Sequence, residues 1–353
     1  MPLKKINNIL IIRTDRIGEV LLSTVATSAV KKVYPTARIT FVTSEYSRPL
    51  LENNKDISEI ICLDTYTKGQ EIKRAFLFSK ILKKKQFSTA LILNPHKISH
   101  LACFFAGIPI RAGYNRKWPF LLTKKIQDNR DNGLKHEIEY TFEFLSACGI
   151  KSELIAPNLS VDKTAEQRVE KFLQEKGFLN NQHIIAIHPG ASNPAKLWPK
   201  ENYRDLALKL KNKFSARIII LGGNDEKPLG EWLSREIGED SLNTAGAFDL
   251  KELTAIIKKS ACFIGNDTGP AHIAASLNIP VITIFGRRIP GAGPKRWRPW
   301  GEKNIVFYED ADCGVCKDSL CDKSYRCLTL VTVKKVFTAA SGILKNIIIK
   351  NRV

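Results

Sequence analysis

Short apolar runs alternate with amphipathic stretches along the chain. Residues 9–12 are a continuous apolar run closed by Arg13, which predicts a first strand buried on both faces. A loop, 14–19, follows. Leu22, Val25, Ala26, Ala29, Val30 and Val33 then recur at helical spacing, predicting a helix over 20–33 that Pro35 ends. The same reasoning predicts strands at 38–43, 60–63, 90–93 and 110–114, and helices at 70–84, 99–106 and 137–148.

A second alternating series follows a charged helix at 164–176. It predicts strands at 184–188, 217–221, 242–244, 262–264 and 281–285, helices at 201–213 and 250–258, and a closing helix at 331–349. Between two of these strands lies Gly265-Asn266-Asp267-Thr268-Gly269, turn chemistry before a Pro270 suited to the first helical position.

Strands alternating with helices argue for an α/β protein with doubly wound parallel sheets. Two such series predict two facing Rossmann-like domains with a ligand cleft between them. The expected division is an N-terminal domain at 1–158, a linker region at 159–182, a C-terminal domain at 183–330 and a C-terminal helix at 331–353. Neither series carries G-x-G-x-x-G at a strand-to-helix turn, which argues against a dinucleotide cofactor.

Charge changes this picture. The chain has 353 residues with a formal net charge of +20, and no Asp or Glu occurs from 72 to 127, where twelve Lys and Arg lie. Such a stretch is either a solvated face or a surface for an anionic partner. RNA-binding signatures and zinc-finger histidine pairs are absent, so no nucleic-acid partner is expected. Lys4 and Lys5 precede only the short run read as the first strand, and the longest apolar stretch, 101–110, is interrupted by Gly107 and Pro109. The expectation is a cytoplasmic protein with a peripheral habit at a membrane.

Cys62, Cys103, Cys148 and Cys262 sit in apolar runs and read as buried thiols. Cys313, Cys316, Cys321 and Cys327 have the spacing C-x2-C-x4-C-x5-C, similar to zinc or cluster sites. No metal is expected; these four are read as buried or redox-labile thiols, with a structural metal as the alternative. Asp310-Ala311-Asp312 spells D-x-D but adjoins the cysteines, and reads as an acidic turn.

The candidate chemistry lies where strands run into helix starts. Backbone N–H groups of Thr268 and Gly269, with the Thr268 hydroxyl, suit a phosphate at a helix N-terminus. Gly222-Gly223-Asn224-Asp225-Glu226 is a second glycine loop opening a helix.

Three motifs fall in order and together resemble one family, the ADP-heptose:lipopolysaccharide heptosyltransferases (glycosyltransferase family 9). They are Ile11-Ile-Arg-Thr-Asp-Arg-Ile-Gly-Glu-Val-Leu-Leu-Ser-Thr24; His188-Pro-Gly-Ala-Ser192 with Lys196-Leu-Trp-Pro199; and Asn266-Asp-Thr-Gly-Pro-Ala-His272 with Pro280 and Phe285-Gly286. The resemblance covers nearly the whole chain. It implies a GT-B fold and transfer of heptose from ADP-heptose to a hydroxyl of the lipopolysaccharide inner core, with inversion, no bound metal and no cofactor. It puts the donor on the C-terminal half and the acceptor on the N-terminal half.

By this resemblance Glu19 stands where the family usually has Asp, and would be the general base; a helix-start acid is the structural alternative. Lys196 would meet the donor phosphates, helped by Ser192. Asp267, Thr268, Gly269 and His272 would line the donor site. Glu226, preferred to Asp225, would meet the nucleoside; helix-start capping is the equal structural alternative. Lys83, Lys84, Lys85, Arg111, Arg116 and Lys117 form the expected face toward the anionic acceptor or the inner face of the inner membrane of a Gram-negative-type bacterium. Two other readings stay open: a family member using a different nucleotide sugar or acceptor, and a catalytically weak sugar-nucleotide-binding relative, the latter prompted by Glu19.

Overall fold

The computed structural model describes residues 7–65, 69–178 and 183–350. The chain divides into two compact units, Met1–Ser160 and Val161–Val353.

The first unit holds strands β1 (Asn8–Ile12), β2 (Arg38–Thr43), β3 (Glu59–Cys62), β4 (Thr89–Ile92), β5 (Ile110–Tyr114) and β6 (Lys124–Ile126). Its helices are α1 (Ile17–Leu22), α2 (Val25–Val33), α3 (Glu71–Lys84), α4 (Lys97–Phe105) and α5 (Glu137–Ala147). The six strands form one parallel sheet in the order β3-β2-β1-β4-β5-β6.

The second unit holds β7 (Ile184–His188), β8 (Arg217–Ile220), β9 (Ser241–Asn243), β10 (Cys262–Asn266), β11 (Val281–Phe285) and β12 (Ile305–Tyr308). Its helices are α6 (Lys163–Glu175), α7 (Lys200–Phe214), α8 (Lys227–Ile237), α9 (Leu250–Lys258), α10 (Gly269–Ser276), α11 (Pro294–Trp297), α12 (Arg326–Thr329) and α13 (Val333–Lys350). The sheet order is β12-β11-β10-β7-β8-β9, again all parallel. Counted from its own first strand, each sheet has the order 3-2-1-4-5-6.

This order positions the chemistry. The winding reverses between β1 and β4 in the first unit and between β7 and β10 in the second, and ligands of doubly wound sheets bind beyond the carboxyl ends of the strands flanking that point. The central strands are there because their apolar runs can be buried on both faces: Ile9 to Ile12, Ile185 to Ile187 and Val281 to Ile284 are all fully buried.

Several elements differ from the sequence reading. The helix expected over 20–33 starts earlier and breaks in two at Ser23 and Thr24. Ser23 Oγ donates to the Glu19 carbonyl at 2.8 Å and Thr24 Oγ1 to the Leu21 carbonyl at 2.7 Å, back-bonds that compete with the helical ladder. Because α1 starts at Ile17, Glu19 lies in its first turn rather than in a loop. β10 runs two residues further than expected, to Asn266, and β6 and β12 were not expected at all.

The charged helix α6 belongs to the second unit, packing on α9; Phe172 meets Phe248 edge-on with ring centres 5.1 Å apart. The closing helix α13 packs against α7 and contributes Val336, Ala340 and Leu344 to the core that also holds Trp198 and Tyr203.

Candidate active site

In the second unit, the loops after β7 and β10 are tied together by one side chain. Asn266 ends β10 and is fully buried. Its amide donates to the Pro189 and Gly190 carbonyls at 2.8 and 3.2 Å, and its Oδ1 accepts from the Trp198 backbone N–H at 3.1 Å and the Tyr203 hydroxyl at 2.9 Å. These bonds hold the 189–198 loop and the first turns of α7 against the end of β10.

That bracing brings Lys196 to Asp267. Nζ lies 2.6 Å from Asp267 Oδ2 and also donates to the Asp267 carbonyl at 3.0 Å, and both side chains are largely buried. Gly286 at the end of β11 leaves the room: a Cβ there would stand 2.1 Å from the Ala195 carbonyl oxygen. Thr268 follows in extended conformation as the N-cap of α10, but its side chain caps nothing; Oγ1 is 3.3 Å from His188 Nδ1. Gly269 opens the helix, Pro270 follows, and His272 is buried on the first turn. A cation and a helix start thus lie side by side at the switch point, an arrangement suited to a diphosphate.

His188 continues the chain of contacts. Its Nε2 is 3.5 Å from Glu226 Oε2, and that carboxylate accepts the Gly223 N–H at 2.7 Å. Burial pushes the Glu226 pKa up, but its hydrogen bond and charge interaction with His188, with the Gly223 N–H, outweigh that and hold it below the ordinary value. Gly190 makes the approach possible, since a Cβ would stand 1.6 Å from Glu226 Oε1. Ser192 is exposed on the same loop.

In the first unit, the loops after β1 and β4 meet at the switch point. Thr14 N–H donates to Asn94 Oδ1 at 3.4 Å, and Asn94 Nδ2 donates back to Thr14 Oγ1 at 3.1 Å. Beneath them lies a buried charge network. Arg13 is 2% exposed; its Nε is 2.7 Å from Asp15 Oδ1 and its Nη1 3.1 Å from Glu137 Oε1. Arg130 pairs with Asp128 at 2.8 Å, approaches Glu137 at 3.5 Å and stacks on Tyr114. Glu19 sits beside this network. Burial, and after it the negative charge of Asp15, push its pKa up to about 7, against the opposing pull of Arg13. A carboxyl poised there can take a proton at neutral pH.

The remaining candidates separate. Lys83 and Lys84 are exposed near the end of α3. Lys85 pairs with Glu59 at 2.5 Å, and Arg116 with Asp131 at 3.0 Å. Arg111 donates to the Leu121 and Ile108 carbonyls, and the Lys117 carbonyl accepts from His100 Nδ1 at 2.8 Å in a left-handed turn. Lys85, Arg111 and Arg116 are therefore committed to protein partners.

Cys313, Cys316, Cys321 and Cys327 line one small pocket with Arg287, Arg288 and Asp318, and all are free thiols. Burial, then the three neighbouring cysteines, raise the Cys327 pKa. Among the described residues no three His, Cys, Asp or Glu side chains are arranged to hold a metal ion. In the Asp310–Asp312 turn, Asp310 Oδ1 accepts the Asp312 N–H at 2.9 Å.

Sequence reasoning missed Asn266 as a brace, His188 as the link between Thr268 and Glu226, and the whole Arg13–Glu137–Arg130 network. Arg13 carried one usable signal, a charge immediately after a strand buried on both faces. Glu137, 124 residues later, carried none.

The glycosyltransferase family 9 (heptosyltransferase) model matches residues 76–325. Lipooligosaccharide heptosyltransferase 2 of Haemophilus influenzae is 27% identical over 297 residues, which cover 81% of this chain and 85% of that protein. Among solved structures, a family 9 glycosyl transferase from Veillonella parvula superposes with a TM-score of 0.84 at 20% identity, covering 96% of this chain and 97% of that one. The Escherichia coli ADP-heptose lps heptosyltransferase II gives 0.78 at 22% identity, covering 96% and 99%.

Proposed function

The chain belongs to glycosyltransferase family 9, the heptosyltransferase family, and from that premise we propose that it transfers heptose from ADP-heptose to the inner core of lipopolysaccharide. The proposed reaction inverts the anomeric carbon and uses no bound metal. The acceptor hydroxyl attacks the anomeric carbon from the face opposite the nucleotide. The new oxygen–carbon bond forms as the bond to the β-phosphate oxygen breaks, and ADP leaves.

Glu19 takes the hydroxyl proton. Its support is a pKa near 7, which lets a carboxylate accept a proton from a weakly acidic donor at working pH. Lys196 and the N–H groups of Thr268 and Gly269 offset the charge that builds on the departing diphosphate, the work a metal does in other transferases. Ser192 adds a hydroxyl to those phosphates. Glu226 accepts from the ribose diol, which its depressed pKa suits. Asp267 and His272 face the sugar side of the donor.

The single observation that carries this reading is the Lys196–Asp267 pair, set at the carboxyl end of β10 beside the start of α10. Among the described residues the anion paired with Lys196 there is the Asp267 side chain, which an arriving diphosphate can displace. The proposed acceptor is lipid-linked and anionic, so the protein works at the anionic inner surface of the inner membrane; among the described residues no helix is long and apolar enough to cross a bilayer. Calorimetry with ADP tests the donor half: micromolar binding that weakens at least tenfold in Lys196→Ala supports it, and unchanged affinity in that variant refutes it.

A further inference from the structure

The helix α3 breaks the rule that a surface helix turns a polar face to water. Its core side is normal: Ala75, Phe78, Ser79 and Leu82 are buried. The opposite arc carries Ile72, Phe76, Leu77 and Ile81, of which Phe76 is 51% and Leu77 52% exposed. At 100° per residue these four are interleaved with Lys73, Lys80, Lys83 and Lys84 on one half of the cylinder. Helix α4 packs alongside and extends the apolar surface with Phe104 and Phe105; Phe105 meets Phe76 edge-on at 6.2 Å. Every exposed phenylalanine among the described residues lies between 76 and 120.

We propose that the α3–α4 face is a docking surface for an anionic lipid bilayer, with Ile72, Phe76, Leu77 and Phe104 entering the headgroup region and the α3 lysines meeting lipid phosphates. The inference deepens the proposed membrane-side reading by naming the surface that meets lipid, and its test uses vesicles without sugar donor or acceptor, so it can fail while heptose transfer stands.

Charge complementarity selects this occupant. No acid occurs in the sequence from 72 to 127, and among the described residues no carboxylate pairs with Lys73, Lys80, Lys83 or Lys84. Lysine is depleted from protein interfaces because its ammonium is costly to dehydrate. At a bilayer, in contrast, the alkyl stem lies along apolar surface while the ammonium stays among phosphates. Lys80 already lies this way, with Nζ 4.9 Å from the centre of the Phe76 ring. A helix with bulky apolar residues and lysines in one plane is the composition of interfacial helices. A second copy of the same face would set lysine against lysine.

The test is vesicle flotation of the full chain. Vesicles of phosphatidylglycerol and phosphatidylcholine are expected to bind it, pure phosphatidylcholine far less, and added salt is expected to release it. Each lysine removed from the interface is expected to weaken binding roughly fivefold, so Lys73→Glu with Lys80→Glu and Lys84→Glu leaves almost none. Phe76→Ser with Leu77→Ser is expected to lower binding at least tenfold at every salt concentration, while retaining the parent melting temperature and turnover of a soluble acceptor. Equal binding to both vesicle types, or parental binding by both folded variants, overturns the proposal. So does a concentration-dependent dimer that Phe76→Ser with Leu77→Ser abolishes, because a second copy would then be the occupant.

Discussion

Lys196 Nζ lies 2.6 Å from Asp267 Oδ2, joining the loop after β7 to the loop after β10 across the switch point of the second sheet. An ion pair this sheltered is held by both loops, and breaking it from one side leaves a buried charge. Lys196→Ala is therefore expected to destabilise the second unit by about 3 kcal/mol and to lower turnover by a hundredfold or more. Lys196→Met should cost turnover equally. Thermal melting with initial-rate kinetics separates the two effects.

Glu19→Gln keeps the size of the side chain and removes its proton-accepting power. Turnover should fall at least a hundredfold while ADP affinity, proposed to rest on the second unit, stays within a factor of two. Single-turnover rates beside calorimetry check this.

The same substitution has a consequence for stability. The folded Glu19 pKa, about 7, stands above the ordinary carboxyl value of 4.5, so the folded state favours the protonated form. The stability this carries is fully present below pH 4.5 and is lost as pH rises through 7. Glu19→Gln should therefore raise stability relative to the parent above pH 7, by roughly 3 kcal/mol, and change it little at pH 4.5. Denaturant unfolding at the two pH values measures it.

Asp15 supplies part of the upward push on Glu19 while Arg13 opposes it. The pH profile of kcat/KM should rise through about pH 7 in the parent, and Asp15→Asn should move that limb to lower pH. A profile unchanged in Asp15→Asn would mean that the limb reports another group.

Gly190 has no room for a side chain, because a Cβ would stand 1.6 Å from Glu226 Oε1. Gly190→Ala should push Glu226 out of its contact with His188 and weaken ADP binding about tenfold, with Glu226→Ala giving a similar loss. Equal ADP affinity in all three proteins would remove Glu226 from the nucleoside site.

Much of the fold was legible because its central strands are buried on both faces and so read as unbroken apolar runs; Ile9 to Ile12 and Val281 to Phe285 need no partner to be identified. The edge strand β6 was not, since Lys124-Lys125-Ile126 is short and half-exposed and takes its strand character from pairing with β5. The break at Ser23 and Thr24 escaped because an apolar period of 3.6 records which face is buried, not whether hydroxyls bond back to carbonyls. Within the site, Asp267 to Gly269 announced themselves through turn chemistry before Pro270. Asn266, beside them, looked like another turn residue, and only the fold reveals that it braces Pro189, Gly190, Trp198 and Tyr203. The basic stretch was visible as charge, but the exposed Phe76 and Leu77 were indistinguishable from core residues until α3 was packed.

The most direct test of heptose transfer is turnover with ADP-heptose and a truncated lipopolysaccharide acceptor, following ADP release and the mass of the acceptor together. One ADP is expected to be released per heptose gained, with the new linkage opposite in anomeric configuration to the donor and with both events at least a hundredfold slower in Glu19→Gln. Release of nucleotide only from a different sugar donor, or parental turnover in Glu19→Gln, would contradict it.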